Sequence, residues 1–426
     1  MLQLVSLGGI FVLLGLCYLL SGDRRAVSWR LVGKGLVLQA ILGFTFLYWS
    51  AGNRALQGFG RGIEQFLRVA KDGAGFVFNA LADQERVAAA LPGPEHGFLF
   101  AFMVLPTLIF FSSLMSVLYY LGIMQWIVRG MAWVMVRVLG TSGSESLSAC
   151  ANVFVGQTEA PLLVRPFLQS MTRSELHAIM VGGFATIAGG VFAIYVGFGI
   201  SAGHLMVGSV MAVPAGLICA KILVPETAAS LTFGRVVRIE TEPYGNVVEA
   251  AAGGAGDGLK LALNVAAMLI AFLGLVAVLD WLLAFVGPQA VAGQQAVAPY
   301  LSVKRLLGWA FYPVAAVMGV QSDEIPILGS LLGTKLAMTE LIAYADLSAM
   351  IKQHTVSPRT QMIASFALCG FANIGSVAIQ IGGLGALAPE RRAELSRLGL
   401  RAMFGGAIAT CMTACVAGVL ANEGVQ

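Results

Sequence analysis

Thr158-Glu159 is followed by Gly183-Phe184-Ala185-Thr186-Ile187, and Thr339-Glu340 is followed by Gly370-Phe371-Ala372-Asn373-Ile374. The same two words recur in the same order. Each copy is a polar stretch carrying a carboxylate, then a glycine-rich apolar segment, then one more apolar run. A lone apolar run, Leu261–Leu279, lies between the copies. An odd number of membrane crossings turns the second copy over, so the spacing predicts an inverted repeat, the plan of many secondary transporters.

The composition places both copies in lipid. Hydrophobic residues make up 58% of the 426-residue chain and charged ones 11%, against roughly 25% charged in an ordinary soluble domain, and the mean hydropathy is +0.83. Uncharged runs occupy Leu2–Leu20, Gly35–Asn53, Gly97–Val128, Leu176–Ala220, Leu306–Ser322, Thr360–Pro389 and Ala402–Asn422. About 20 apolar residues make one span, so Leu176–Ala220 holds two, divided near Ser201–Gly203. Leu2–Leu20 has no basic residue before it and reads as a retained first span rather than a cleaved signal. Arg24, Arg25, Arg30 and Lys34 follow it, which puts that loop in the cytoplasm and the N-terminus outside. The net charge of +4 is spread over loops and makes no case for nucleic acid as a partner. Six cysteines lie in or beside apolar runs without metal spacing and read as small core residues.

Three segments do not fit simple spans. Between Arg54 and Arg86, aromatic residues interleave with charges, as an amphipathic helix at the membrane surface requires. Met131–Phe167 carries Glu145, Asn152, Glu159 and Arg165, and Lys304–Tyr344 carries Asp323, Glu324, Lys335 and Glu340. A charge at the bilayer centre costs about 2.5–3.5 kcal/mol or more. Re-entrant hairpins lining a wet cavity avoid that cost. Glycines clustered around Thr186 and Asn373 predict unwound helix at equivalent points, freeing carbonyls near the midplane. Glu159 and Glu340, paired in the repeat, are the strongest functional residues; Gln157, Phe371 or Ser376 taken singly reads as packing.

Gly156-Gln157-Thr158-Glu159-Ala160-Pro161-Leu162 with Arg165-Pro166, Gly333-Thr334-Lys335-Leu336 leading to Glu340, and Cys369-Gly370-Phe371-Ala372-Asn373 leading to Ser376 together resemble the concentrative nucleoside transporters. The resemblance runs in order over nearly the whole chain, and the N-terminus fits the bacterial form, which lacks three spans of animal members. It implies an all-α polytopic membrane protein of eight transmembrane helices, an interfacial helix and two opposed re-entrant hairpins, assembled as a homotrimer in the bacterial inner membrane.

By the same carry-over, Gln157, Thr158 and Glu159 read the base of a nucleoside, Phe371 and Val191 line its pocket, and Glu340, Asn373 and Ser376 hold the ribose. The Asn152 side-chain oxygen and the carbonyls of Val155, Thr186 and Ile187 match the family's positions for a sodium ion, and the Thr186 hydroxyl is a further candidate ligand. Thr339-Glu340-Leu341 departs from the Asn-Glu-Phe of many members, which bears on fine selectivity. Arg165 and Lys335 are candidates to neutralise nearby carboxylates.

The expected organisation is N-terminal scaffold spans and interfacial helix over 1–123, a first transport repeat over 124–224, a loop and scaffold helix over 225–300, and a second, inverted repeat over 301–426. Three other readings stay open at this point. One is proton coupling on the same fold. Another is an intramembrane enzyme, which needs a nucleophile and base or a metal, although His96, His177, His204 and His354 form no HExxH-like pair. The last is a passive channel, which helices broken in both halves disfavour.

Overall fold

A computed structural model describes residues 1–83, 86–87, 99–235, 237, 244–286 and 301–421. Residues 84–85 of the proposed interfacial segment, His96, and residues 236, 238–243 and 287–300 of the 225–300 connection therefore lie outside the described residues. Those described form helices and loops, with a single isolated bridge between Ser142 and Phe233. Among the described residues, seven helices or helix pairs are long and apolar enough to cross a membrane.

The uncharged first run forms α1 (Leu2–Leu19). Ser28 caps α2 (Trp29–Gly43) by accepting the Leu31 amide, and α2 continues into one π-helical stretch, Phe44–Tyr48. The charged amphipathic segment becomes α3 (Ser50–Phe78), which is not among the apolar spans. The apolar run after it forms α4 (Leu105–Tyr120), and α5 (Ile123–Leu139) follows.

The polar stretch that begins near Met131 divides at Gly140. Its first residues complete α5, and the hairpin proper is α6 (Gly143–Ala151) with a 3-10 helix over Ala160–Phe167, joined by the tip 152–159. Then come α7 (Arg173–Ala185), α8 (Gly189–Gly197) and α9 (Ala202–Leu223). The break between α8 and α9 falls at the expected Ser201, whose side chain caps α9.

The lone central run is the second half of a much longer helix, α10 (Val247–Val286), about 60 Å long at 1.5 Å per residue. Gly254 and Gly258 let it lie against α4: a Cβ at either position would meet Ser116 Cβ at 2.6 Å or Ile109 Cα at 2.7 Å. Small residues four apart are a standard packing surface in membrane helices.

The second polar stretch divides in the same way. Its apolar start forms a separate helix, α11 (Val303–Ala316), and the hairpin is α12 (Ile325–Ala337) with α13 (Glu340–Lys352). Gly319 makes the turn between α11 and α12 with φ +75°, where a Cβ would also strike Ser6 Oγ at a distance no atom pair tolerates. The chain ends in α14 (Pro358–Ala367), α15 (Ile374–Leu387) and α16 (Arg392–Leu420). The order helix, helix, hairpin, broken helix, long helix thus occurs twice.

The two hairpins have their bases at opposite ends of α1. Gly22, just past one end of α1, donates to Leu223 O at 2.9 Å, and Lys221 beside it pairs with Glu145 of the first hairpin at 2.7 Å. Ser6, near the other end, donates to Met318 O at 2.8 Å and accepts from Arg359 Nη2 at 3.2 Å. There Glu324 accepts the Ser357 amide and hydroxyl, fastening the second hairpin to the start of α14. Glu145 and Glu324 are thus structural at the hairpin ends. The six cysteines are all free and buried.

Candidate functional site

Both glycine-rich helices are broken where the repeated words lie. Between α7 and α8, Thr186 (φ −122°, ψ 164°) and Ala188 (φ −73°, ψ 148°) are extended, and before α15 so is Asn373 (φ −141°, ψ 163°). The breaks touch. Phe371 donates its amide to Thr186 O at 3.3 Å, and a Cβ on Gly370 would lie 2.6 Å from Phe184 O.

Glu340 is the first residue of α13, where a carboxylate is favoured by the helix dipole, and Thr339 caps that helix by accepting the Ile342 amide. The carboxylate is 4% exposed. Its Oε1 accepts from the Tyr195 hydroxyl at 2.9 Å and its Oε2 from Asn373 Nδ2 at 3.0 Å. Asn373 is itself oriented, because its Oδ1 accepts the Ser376 amide at 2.8 Å while capping α15. Tyr195 packs on Tyr344 with ring centroids 4.3 Å apart, and Tyr344 donates to Ser365 O at 2.7 Å. Val191 is buried one turn before Tyr195 on α8, on the same face. Phe371 is half-buried in the second break.

The tip of the first hairpin sits at the other end of this arrangement. Gln157 is buried, and its Oε1 accepts from Gln380 Nε2 of α15 at 3.0 Å. Thr158 rests against α15, with Cγ2 3.1 Å from where a Cβ on Gly383 would be. Glu159 is exposed and folds back so that Oε2 accepts the Gly156 amide. On α15, Asn373, Ser376, Gln380 and Gly383 follow at intervals of three, four and three, so they share one face. The seven steps from Asn373 to Gln380 rise about 10 Å. That face runs from the carboxylate of Glu340 to the amide of Gln157.

The proposed ion ligands lie where this hairpin tip meets the first break. Gly189 donates to Phe154 O at 3.0 Å, holding the tip against the start of α8. Asn152 donates through Nδ2 to Ser148 O at 3.0 Å, while its Oδ1 is buried with no hydrogen-bond partner. Thr186 commits its hydroxyl proton to Gly182 O at 2.9 Å, which leaves the Oγ1 lone pairs as acceptors. Both residues neighbour Gly182, whose carbonyl accepts the Thr186 hydroxyl and where a Cβ would lie 3.7 Å from Asn152 Nδ2, and neutral amide and hydroxyl oxygens are ligands that a hard cation takes. Val155 and Ile187 belong to the same tip and break. No cluster of three or more His, Cys, Asp or Glu with metal-holding geometry occurs among the described residues.

Lys335 lies near enough for its charge to favour the Glu340 carboxylate through space, but neither it nor Arg165 is held by a direct ionic contact among the described residues. Lys335 is buried, with Nζ donating to Ala367 O at 2.8 Å and Thr410 Oγ1 at 2.9 Å. Ala367 ends α14, so the ammonium satisfies a carbonyl left open by the helix break. Arg165 is exposed. Two further site residues were not singled out from sequence, Tyr195 and Gln380. The signal for Gln380 was a lone amide in the apolar run Ile374–Leu387, seven residues after Asn373.

Family comparisons agree along the chain. Residues 8–81 match the N-terminus and residues 204–418 the C-terminus of the Na+ dependent nucleoside transporters, and residues 101–202 match a nucleoside-recognition gate. An uncharacterized transporter of Haemophilus influenzae is 43% identical over 99% of this chain and 98% of its own length. Human solute carrier family 28 member 3 and mouse sodium/nucleoside cotransporter 1 are each 40% identical, over 100% and 98% of this chain. The chain spans only 61% and 64% of those two proteins. Among solved structures, CNTnw in an inward-facing substrate-bound state superposes with a TM-score of 0.91 at 41% identity, covering 99% of this chain and 98% of that one. A variant of CNTnw in an outward-facing state gives 0.90. These relatives are transporters, so the intramembrane-enzyme reading is set aside. With a family match over more than half its length and an all-helical fold shared with CNTnw, the chain belongs to the concentrative nucleoside transporter family.

Proposed function

We propose that this protein imports nucleosides across the bacterial inner membrane by symport with sodium, as a homotrimer whose protomers each hold one substrate. The observation that carries this reading is the polar face of α15, about 10 Å long, bounded by a fixed carboxylate at one end and a fixed amide at the other. A nucleoside has matching ends. Its ribose hydroxyls donate to Glu340, with charge-assisted strength, and meet Asn373 and Ser376. Its base meets Gln157, Thr158 and Glu159, with Phe371 and Val191 against the ring.

Sodium fits the orphaned Asn152 Oδ1, the Thr186 hydroxyl oxygen and the carbonyls of Val155 and Ile187. Bound there, the ion supplies positive charge that draws the hairpin tip onto the first helix break. Coupling follows if the ion favours the tip position that binds substrate, since a ligand indifferent to both states shifts nothing. With the loop at Arg24–Lys34 cytoplasmic, the first hairpin enters from inside and the second from outside, as two inverted repeats require. Access from either side then means displacing one hairpin or the other.

The test is uptake of radiolabelled uridine and adenosine into proteoliposomes at fixed pH. An inward sodium gradient raises uptake of at least one of them. Uptake that ignores sodium and follows an imposed pH gradient identifies proton coupling, and no uptake of any nucleoside overturns the substrate class.

A further inference from the structure

We propose that Gln380 is a positioning residue that holds the Gln157 side chain with its NH2 group toward the base, so that the site reads a hydrogen-bond acceptor there. This rests on the nucleoside reading above. The argument starts from a carbonyl. Gln380 Nε2 lies 3.1 Å from Met180 O, a backbone oxygen that can only accept, so the nitrogen must face it. The same nitrogen has a second hydrogen, and it points to Gln157 Oε1 at 3.0 Å.

Gln157 is therefore fixed in turn. Its oxygen is occupied by Gln380, and its nitrogen carries the two donors left for substrate. Both side chains are buried, Gln380 at 1% exposure and Gln157 at 8%, so water does not compete freely for either amide. The backbone leaves just enough room for the pair. A Cβ at Gly183 would come within 2.5 Å of Gln380 Nε2 and 2.9 Å of Gln157 Cβ. That gives the repeated word its glycine a specific use in the first copy.

The chemical consequence concerns the base. Every natural nucleoside base carries a carbonyl oxygen or an unprotonated ring nitrogen, and such an acceptor takes a hydrogen bond from an NH2 group and is repelled by an amide oxygen. Without Gln380, the Gln157 amide is free to turn over, and the turned form sets oxygen against oxygen. Gln380 thus acts through Gln157 and needs no contact with substrate.

A double-mutant cycle on purified, sodium-saturated protein tests this, with equilibrium binding of labelled uridine as readout. Gln380→Leu should raise the uridine dissociation constant about tenfold, the scale of one net hydrogen bond. In the Gln157→Ala background the same change should matter less than twofold. The apparent sodium affinity of Gln380→Leu should stay within twofold of wild type, which general loosening of the hairpin tip that carries Gln157 would not allow. Equal losses in both backgrounds, or no loss in the native one, overturn the proposal. If Gln380→Leu does not yield monodisperse protein, Gln380→Met, of similar length and without the amide, takes its place in the cycle. Wild-type protein that binds uridine normally while the cycle is additive refutes the pairing alone; wild-type protein that binds no nucleoside refutes the reading of the site and the pairing with it.

Discussion

Replacing Glu340 by glutamine removes the charge at the proposed ribose end while leaving the bond from Asn373 able to re-form. Asn373 is held by the Ser376 amide, so its Nδ2 must still point at residue 340. The new amide therefore turns its oxygen toward Asn373 and its nitrogen toward Tyr195, whose hydroxyl oxygen can accept. The Tyr195 hydroxyl then accepts but its own proton loses the oxygen it was donated to, a cost of about 1–3 kcal/mol, so the protein should melt earlier yet stay folded. The substrate bears the loss, because the edge facing Tyr195 is now a donor and cannot accept from a ribose hydroxyl. A hydrogen bond to a charged acceptor contributes about 1.5–3 kcal/mol, so uridine affinity should fall about ten- to a hundredfold. Equilibrium binding to purified protein at saturating sodium measures it, with a thermal melt as the check on folding. Glu340→Gln protein that is folded and binds uridine within twofold of wild type would refute the assignment of Glu340.

Three further outcomes follow from the same geometry. Gly183→Ala should weaken uridine binding at least about tenfold, a loss on the scale of one hydrogen bond, whereas Gly182→Ala, whose Cβ would meet nothing nearer than 3.4 Å, should be tolerated; equal effects in a binding assay would contradict the crowding argument. Asn152→Ala should lower the apparent sodium affinity in uridine uptake more than it lowers uridine affinity at saturating sodium, and the reverse order would remove Asn152 from the ion site. Lys335→Met keeps the stem but strips the Ala367 carbonyl of its donor, at a cost of about 1–3 kcal/mol, so substrate-free protein should melt earlier in detergent; an unchanged melting temperature would contradict that role.

Much of this arrangement was legible because it breaks the rules of an apolar span. Carboxylates inside hydrophobic stretches marked both hairpins, and clustered glycines marked both helix breaks at Thr186 and Asn373. Hairpin limits were not legible. α5 and α11 are apolar on one side, and only the turns at Gly140 and Gly319 separate them from the hairpins that follow. The length of α10 was hidden for a related reason, since Glu249, Asp257 and Lys260 in its first half interrupt the hydropathy without interrupting the helix. The sequence pointed to the charge of Lys335, which does favour Glu340 through space, but not to its direct partners, an open carbonyl at the helix break and Thr410. Tyr195 and Gln380 escaped notice because a single polar group in an apolar helix is ordinarily a packing contact. Only the fold brings them to Glu340 and Gln157.

Symport makes one demand that simple facilitation by sodium does not: the coupling must run both ways. Proteoliposomes holding equal sodium inside and out, at equal pH and clamped membrane potential, should accumulate radioactive sodium when uridine is added outside. The accumulation should vanish with Glu340→Gln at the same uridine concentration. Uridine entry without any movement of sodium would contradict sodium symport.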